Sequence, residues 1–148
     1  MLTRSLLPSV ICLVAALSSF SCQATCGRSD EAPVLWADGV VEQQGTQQVY
    51  VTTPIDHPWL EFPSHRRFLL HHDMGTRDLA VEAYLSYDEQ PVPSGNLDPH
   101  AFAQAAGNTV LIESVDANST MVENDTCEDS YYLWVRLTSK PMPPATDN

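Results

Sequence analysis

Leu79-Ala80-Val81-Glu82-Ala83-Tyr84-Leu85-Ser86-Tyr87 is the stretch that decides the fold. Its odd positions are apolar or aromatic, and its even positions are mixed. A period of two is the signature of a strand with one face turned to a core. Tyr131 to Leu137 repeats the pattern: Tyr131, Leu133, Val135 and Leu137 alternate with Tyr132, Trp134 and Arg136. Outward from these two strands, Val49 to Val51, Arg67 to His71 and Val110 to Val115 read as three more. Thr120 to Glu123 reads as a sixth, expected to pair with Tyr131 onward across the polar turn Asn124 to Ser130. Val34 to Glu42 supplies one or two more near Gly39. Turn chemistry separates them at Thr53-Pro54, His57-Pro58, Phe62-Pro63, Asp73 to Gly75, Pro91 to Gly95 and Asp116 to Ser119. One helix is expected: Asp98 is a suitable N-cap, Pro99 suits the first turn, His100 to Ala106 is Ala-rich and Gly107 fits the C-terminal position. The fold class that follows is mainly β, an antiparallel β-sandwich of six to eight short strands with one short helix. A flattened barrel is the alternative.

The N-terminus has a different grammar. A basic start at Arg4, an apolar run from Leu6 to Leu17 and small residues up to Ser21 make the layout of a signal peptide over residues 1–21. The run is shorter than the roughly 20 residues that span a bilayer. Ser19 and Ser21 suit ordinary cleavage before Cys22, and Ala24 suits a slightly later cut. Ser21-Cys22 also resembles the end of a bacterial lipobox, which implies a lipid on Cys22, with Ser19 and Phe20 departing from that pattern. Residues 22–32 read as a tether, 33–138 as the β-sandwich domain and 139–148 as a disordered tail. Cys12 leaves with the signal. With Cys22 acylated, Cys26 and Cys127 remain as an even pair, expected to form a disulfide in an oxidising compartment. The expected localisation is the cell envelope, lipid-anchored, or secreted.

The 148 residues carry 19 acidic and seven basic side chains, for a formal net charge of −12. Of the basic residues only Arg4 precedes Cys22. So acidic a surface repels phosphate backbones, which disfavours nucleic acid, and leaves the lipid as the membrane tie.

The segment His72-Asp73-Met74-Gly75-Thr76-Arg77-Asp78, followed at once by a strand, resembles a module of phage tail fibres and of H-type lectin-like domains. There a strand ends in His-Asn-Leu-Gly-Thr-Arg-Asp. His72, Gly75, Thr76, Arg77 and Asp78 match; Asp73 and Met74 replace the Asn and Leu. The resemblance spans roughly Arg67 to Leu137. It implies a small β-sandwich that binds glycans or serves as a structural part of an assembly, and not an enzyme. The same residues also read as a hairpin corner in their own right, with Gly75 at positive φ, Asp73 in an Asx-turn and Arg77 paired with Asp78.

Sites of other kinds find little support. His71 and His72 are adjacent on a strand and point to opposite faces, so they do not share a metal ion. Glu123, Asn124, Asp125, Glu128 and Asp129 crowd a turn in the manner of calcium ligands, without EF-hand spacing. There is no nucleophile elbow, phosphate-cradling loop or cofactor motif. Asn118-Ser119-Thr120 and Asn124-Asp125-Thr126 fit the glycosylation pattern. The aromatic residues Tyr84, Tyr132 and Trp134 are the better candidates, expected to share one outer sheet face as a binding surface for sugar rings or a protein partner. The expected function is a structural or protein-interaction module, with a carbohydrate-binding module as the alternative.

Overall fold

The computed structural model describes residues 31–92, 102–105 and 109–141. The expected signal peptide, Cys22, Cys26 and most of the expected tether lie outside them, as do both ends of the expected helix and most of the expected tail. Ten strands are described: β1 Val34–Trp36, β2 Val40–Gln44, β3 Gln47–Val51, β4 Leu60–Glu61, β5 Arg67–His71, β6 Leu79–Ser86, β7 Ala103–Gln104, β8 Val110–Val115, β9 Ser119–Asn124 and β10 Tyr132–Ser139. They form two sheets. A four-stranded sheet has the order β1-β5-β9-β8. A six-stranded sheet has the order β2-β3-β10-β6-β7, with β4 also on β10. Only the β1–β5 pair is parallel.

The two strands with the strongest alternation form the spine. β6 and β10 pair antiparallel from Leu79 opposite Ser139 to Ser86 opposite Tyr132. Residues opposite each other share a face. Val81 with Leu137, Ala83 with Val135 and Leu85 with Leu133 therefore line the inner face. Phe68, Leu70, Val110 and Val122 meet them from the other sheet, with Tyr50, Phe62 and Met74 filling the same core. The Trp36 indole N–H closes the flank by donating to Thr52 O at 3.0 Å.

Gly39 sets how β2 joins. A Cβ there would come within 2.2 Å of the Tyr50 ring. Only glycine lets the bend after β1 press against that buried ring, and so lay β2 beside β3.

Three expectations need correcting. No helix is present among the described residues. Ala103–Gln104, in the middle of the expected helix, is instead a short strand paired with Leu85 and Tyr84. β9 does not pair with β10. It lies between β5 and β8, in the other sheet, because the 125–131 turn crosses from one sheet to the other. The final strand also runs through Ser139, one residue past the expected domain limit. No helix of the described residues is long and apolar enough to cross a membrane.

Candidate functional site

The aromatic side chains Tyr84, Tyr132 and Trp134 do come together on the outer face of the six-stranded sheet. They form a second core there rather than an exposed platform. Trp134 is only 8% exposed. Trp59 stacks on it at 6.2 Å between ring centroids, and Tyr84 and Phe102 close the sides. The loop that carries Trp59 is tied down: Trp134 Nε1–H donates to Thr53 O at 2.8 Å, and Trp59 N–H to Glu89 O at 2.7 Å. What remains open is a cavity of about 210 Å³ lined by Ile55, Trp59, Tyr84, Phe102, Trp134 and Arg136. That is below the usual range for small-molecule sites.

The His72–Asp78 segment is built as a corner. His72 is buried, and its ring holds the turn. Nδ1 accepts the Met74 N–H at 3.3 Å, which leaves the proton on Nε2, 3.3 Å from Thr120 Oγ1. Met74 enters the core, and Asp73 and Gly75 take left-handed conformations. The expected Arg77–Asp78 pair is not formed. Successive side chains on an extended segment diverge, so Arg77 reaches Asp116 at 3.4 Å and Asp78 pairs with Lys140. His71 is exposed and 3.5 Å from Asp73. Beside the corner is a polar cleft of about 560 Å³, bounded by Gln43, Thr46, Gln48, Thr76, Asp78 and Lys140.

Burial pushes the His72 pKa below its ordinary value, with a backbone hydrogen bond at Ser119 opposing in part. The unfolded chain therefore takes up the proton first. Stability is full above about pH 6.5 and declines as pH falls through that value towards the folded pKa. Denaturant unfolding at pH 8 and pH 5 is expected to show wild type losing more stability than His72→Gln over that interval. Equal losses would remove His72 from the account.

The acidic turn spends its oxygens on itself. Asn124 is fully buried. Its amide donates to Phe62 O and Glu128 O, and its Oδ1 accepts from the backbone and hydroxyl of Thr126. Asp129 Oδ1 accepts the Ser64 N–H at 3.0 Å, and Glu128 accepts the Ser130 N–H at 3.0 Å. Asn124 is thereby withdrawn as a glycosylation acceptor, while Asn118 is exposed. Among the described residues no group of three or more His, Cys, Asp or Glu side chains is placed to hold a metal ion. Cys127 is disulfide-bonded.

The sequence reading missed a further feature. The exposed large apolar residues among those described are Leu35, Val40, Val41 and Tyr87. Three of the four lie on β1 and β2, the edge strands of the two sheets, joined by a three-residue bend and so on one flank of the sandwich. Leu35 is 60% exposed, Val40 37% and Val41 44%. Edge strands are normally blunted by lysine, proline, a bulge or a covering segment. β2 is Val-Val-Glu-Gln-Gln, in unbroken five-pair register with β3 and exposed along its whole length. The signal in the sequence was the adjacent pair Val40-Val41, apolar on both faces of one strand without a lysine nearby.

No protein-family model, curated protein or solved structure matches the chain.

Proposed function

We propose that this chain is an exported β-sandwich, lipid-anchored at Cys22, that acts as a protein-interaction module by offering β2 as an open edge. The observation that carries this reading is the unprotected β2 edge with Val40 and Val41 in solvent. An extended segment of a partner would add as a further strand, its main chain supplying affinity and alternate side chains supplying specificity. Asp38 precedes the edge strand and Glu42 lies within it, and the chain has a net charge of −12. A second copy would be repelled, whereas a segment bearing Lys or Arg would be drawn in.

Affinity purification of the mature protein from its native envelope tests the reading. Wild type is expected to recover a protein partner. A Val40→Lys/Val41→Lys variant with unchanged melting temperature is expected to lose it at least about tenfold, a change of about 1.4 kcal/mol. Equal recovery by both proteins, or none by wild type, would count against it.

A carbohydrate-binding role is the second reading. It is supported by the polar cleft beside the His72–Asp78 corner and by the resemblance of that corner to lectin-like modules. It gains ground if wild type recovers no protein but binds a neutral saccharide that Gln48→Ala fails to bind.

A further inference from the structure

The aromatic core on the outer face of the six-stranded sheet keeps one opening, and its four rings close a circuit around it. Centroids are 5.4 Å apart from Trp59 to Phe102, 5.8 Å from Phe102 to Tyr84, 5.6 Å from Tyr84 to Trp134 and 6.2 Å from Trp134 back to Trp59. The cavity of about 210 Å³ has all four rings in its wall, together with Ile55 and Arg136. A group at the centre of a four-sided figure with such edges lies about 4 Å from each centroid, inside the roughly 6 Å reach of a cation–π contact. Too small for a drug-sized ligand, the cavity suits a compact head group.

The indoles turn carbon towards that space. Both of their N–H groups are committed to backbone carbonyls, Trp134 to Thr53 O at 2.8 Å and Trp59 to Ile55 O at 3.3 Å. A sugar, or an ammonium with N–H bonds, would lose water there without gaining hydrogen bonds from the indoles. A trimethylated ammonium has no N–H to satisfy and presents methyl groups to the ring faces. Arg136 makes a bare cation an incomplete ligand. Its side chain is 39% exposed and stands 3.8 Å from Glu82 Oε2. Its charge repels a lone cation and attracts an anion carried by the same molecule. The net charge of −12 opposes a simple anion, whereas a zwitterion is neutral overall. Trp134 and Arg136 are two residues apart on β10 and so share a face. Such positions are about 7 Å apart along a strand, which calls for a short linker between the two charges.

We propose that this cavity binds a zwitterion in which a trimethylammonium group is joined by a short linker to a phosphate or carboxylate. The cation sits among Trp59, Tyr84, Phe102 and Trp134, and the anion meets Arg136. The site is preformed, because the loop bearing Trp59 is also held by its backbone N–H on Glu89 O at 2.7 Å. Little ordering is left to oppose binding. In the sheet, β3 separates β10 from β2, and the site does not rest on the open-edge reading.

Isothermal titration of the purified full chain with phosphocholine tests the proposal. Saturable binding at one site is expected. The tert-butyl analogue, in which carbon replaces the charged nitrogen, is expected to bind at least about tenfold more weakly. Choline, which lacks the anion, is expected to bind at least about threefold more weakly. Neither comparison depends on a variant folding. Arg136→Gln, with an unchanged melting temperature, is expected to erase the advantage of phosphocholine over choline. Phosphatidylcholine vesicles separate the two sources of this chemistry. Co-sedimentation that free phosphocholine reverses identifies a lipid head group, and titration without co-sedimentation identifies a soluble compound. No binding of phosphocholine at about 10 mM, equal affinity for the carbon analogue, or tighter binding of benzoate than of phosphocholine would overturn the proposal. The last result would make the cavity a site for an aromatic acid.

Discussion

Trp134→Ala is expected to destabilise the domain by about 3–5 kcal/mol, the range for removing a buried tryptophan. The expected cost is high because Trp134 joins parts of the chain distant in sequence. Its indole N–H holds Thr53 O, its face carries Trp59, and its edge meets Tyr84. Without it, Thr53 O loses its donor, and Trp59 and Val92 are left over a void. The melting temperature is expected to fall by about 12 °C or more. Trp134→Phe keeps a ring under Trp59 and gives up the hydrogen bond, so it is expected to cost much less. If Trp134→Ala melts like wild type, the covered face is not a second core, and the aromatic cluster returns as a candidate binding surface.

Removing the disulfide is the second large effect. Cys127→Ser is expected to cost about 2–5 kcal/mol, as for native disulfides in small exported domains. If the partner is Cys26, the bridge closes a loop of about 100 residues, for which the chain-entropy model gives about 4–5 kcal/mol. Thermal unfolding with and without reductant measures it. Wild type in reductant is expected to match Cys127→Ser, and the variant itself is expected to be indifferent to reductant. A wild-type melt unmoved by reductant would mean that the bridge contributes nothing to stability.

The strands were legible where side-chain alternation is local. β5 and β8 have the bounds expected from their apolar runs, and β6 and β10 differ from the limits that alternation assigns by a residue or two. Pairing was not legible in the same way. Thr120 to Glu123 is next to the final strand in sequence, yet Arg67 and Phe68, 56 and 54 residues from their partners Glu123 and Val122, compete for it and share its sheet. The expected helix had good local caps around Asp98 and Gly107. Its Ala103–Gln104 centre is extended all the same, because the backbone of Tyr84 and Leu85 offers a ladder. Tertiary pairing outweighs a weak propensity there. The aromatic face shows the same limit. Alternation put Tyr84, Tyr132 and Trp134 on one side, but whether that side is wet depends on Trp59, which arrives from a distant loop. The β2 edge was hidden for a related reason. Val34 to Glu42 was readable as strand, but which strand ends a sheet is fixed by the order of all the others.

A photocrosslinking residue placed at Val41 tests the open-edge reading most directly, with one at Ala103 as control. Ala103 is exposed on β7, at the opposite edge of the same sheet. In cells a discrete adduct with a second protein is expected at position 41 and none at 103. No adduct at 41, or equal adducts at both positions, would contradict it.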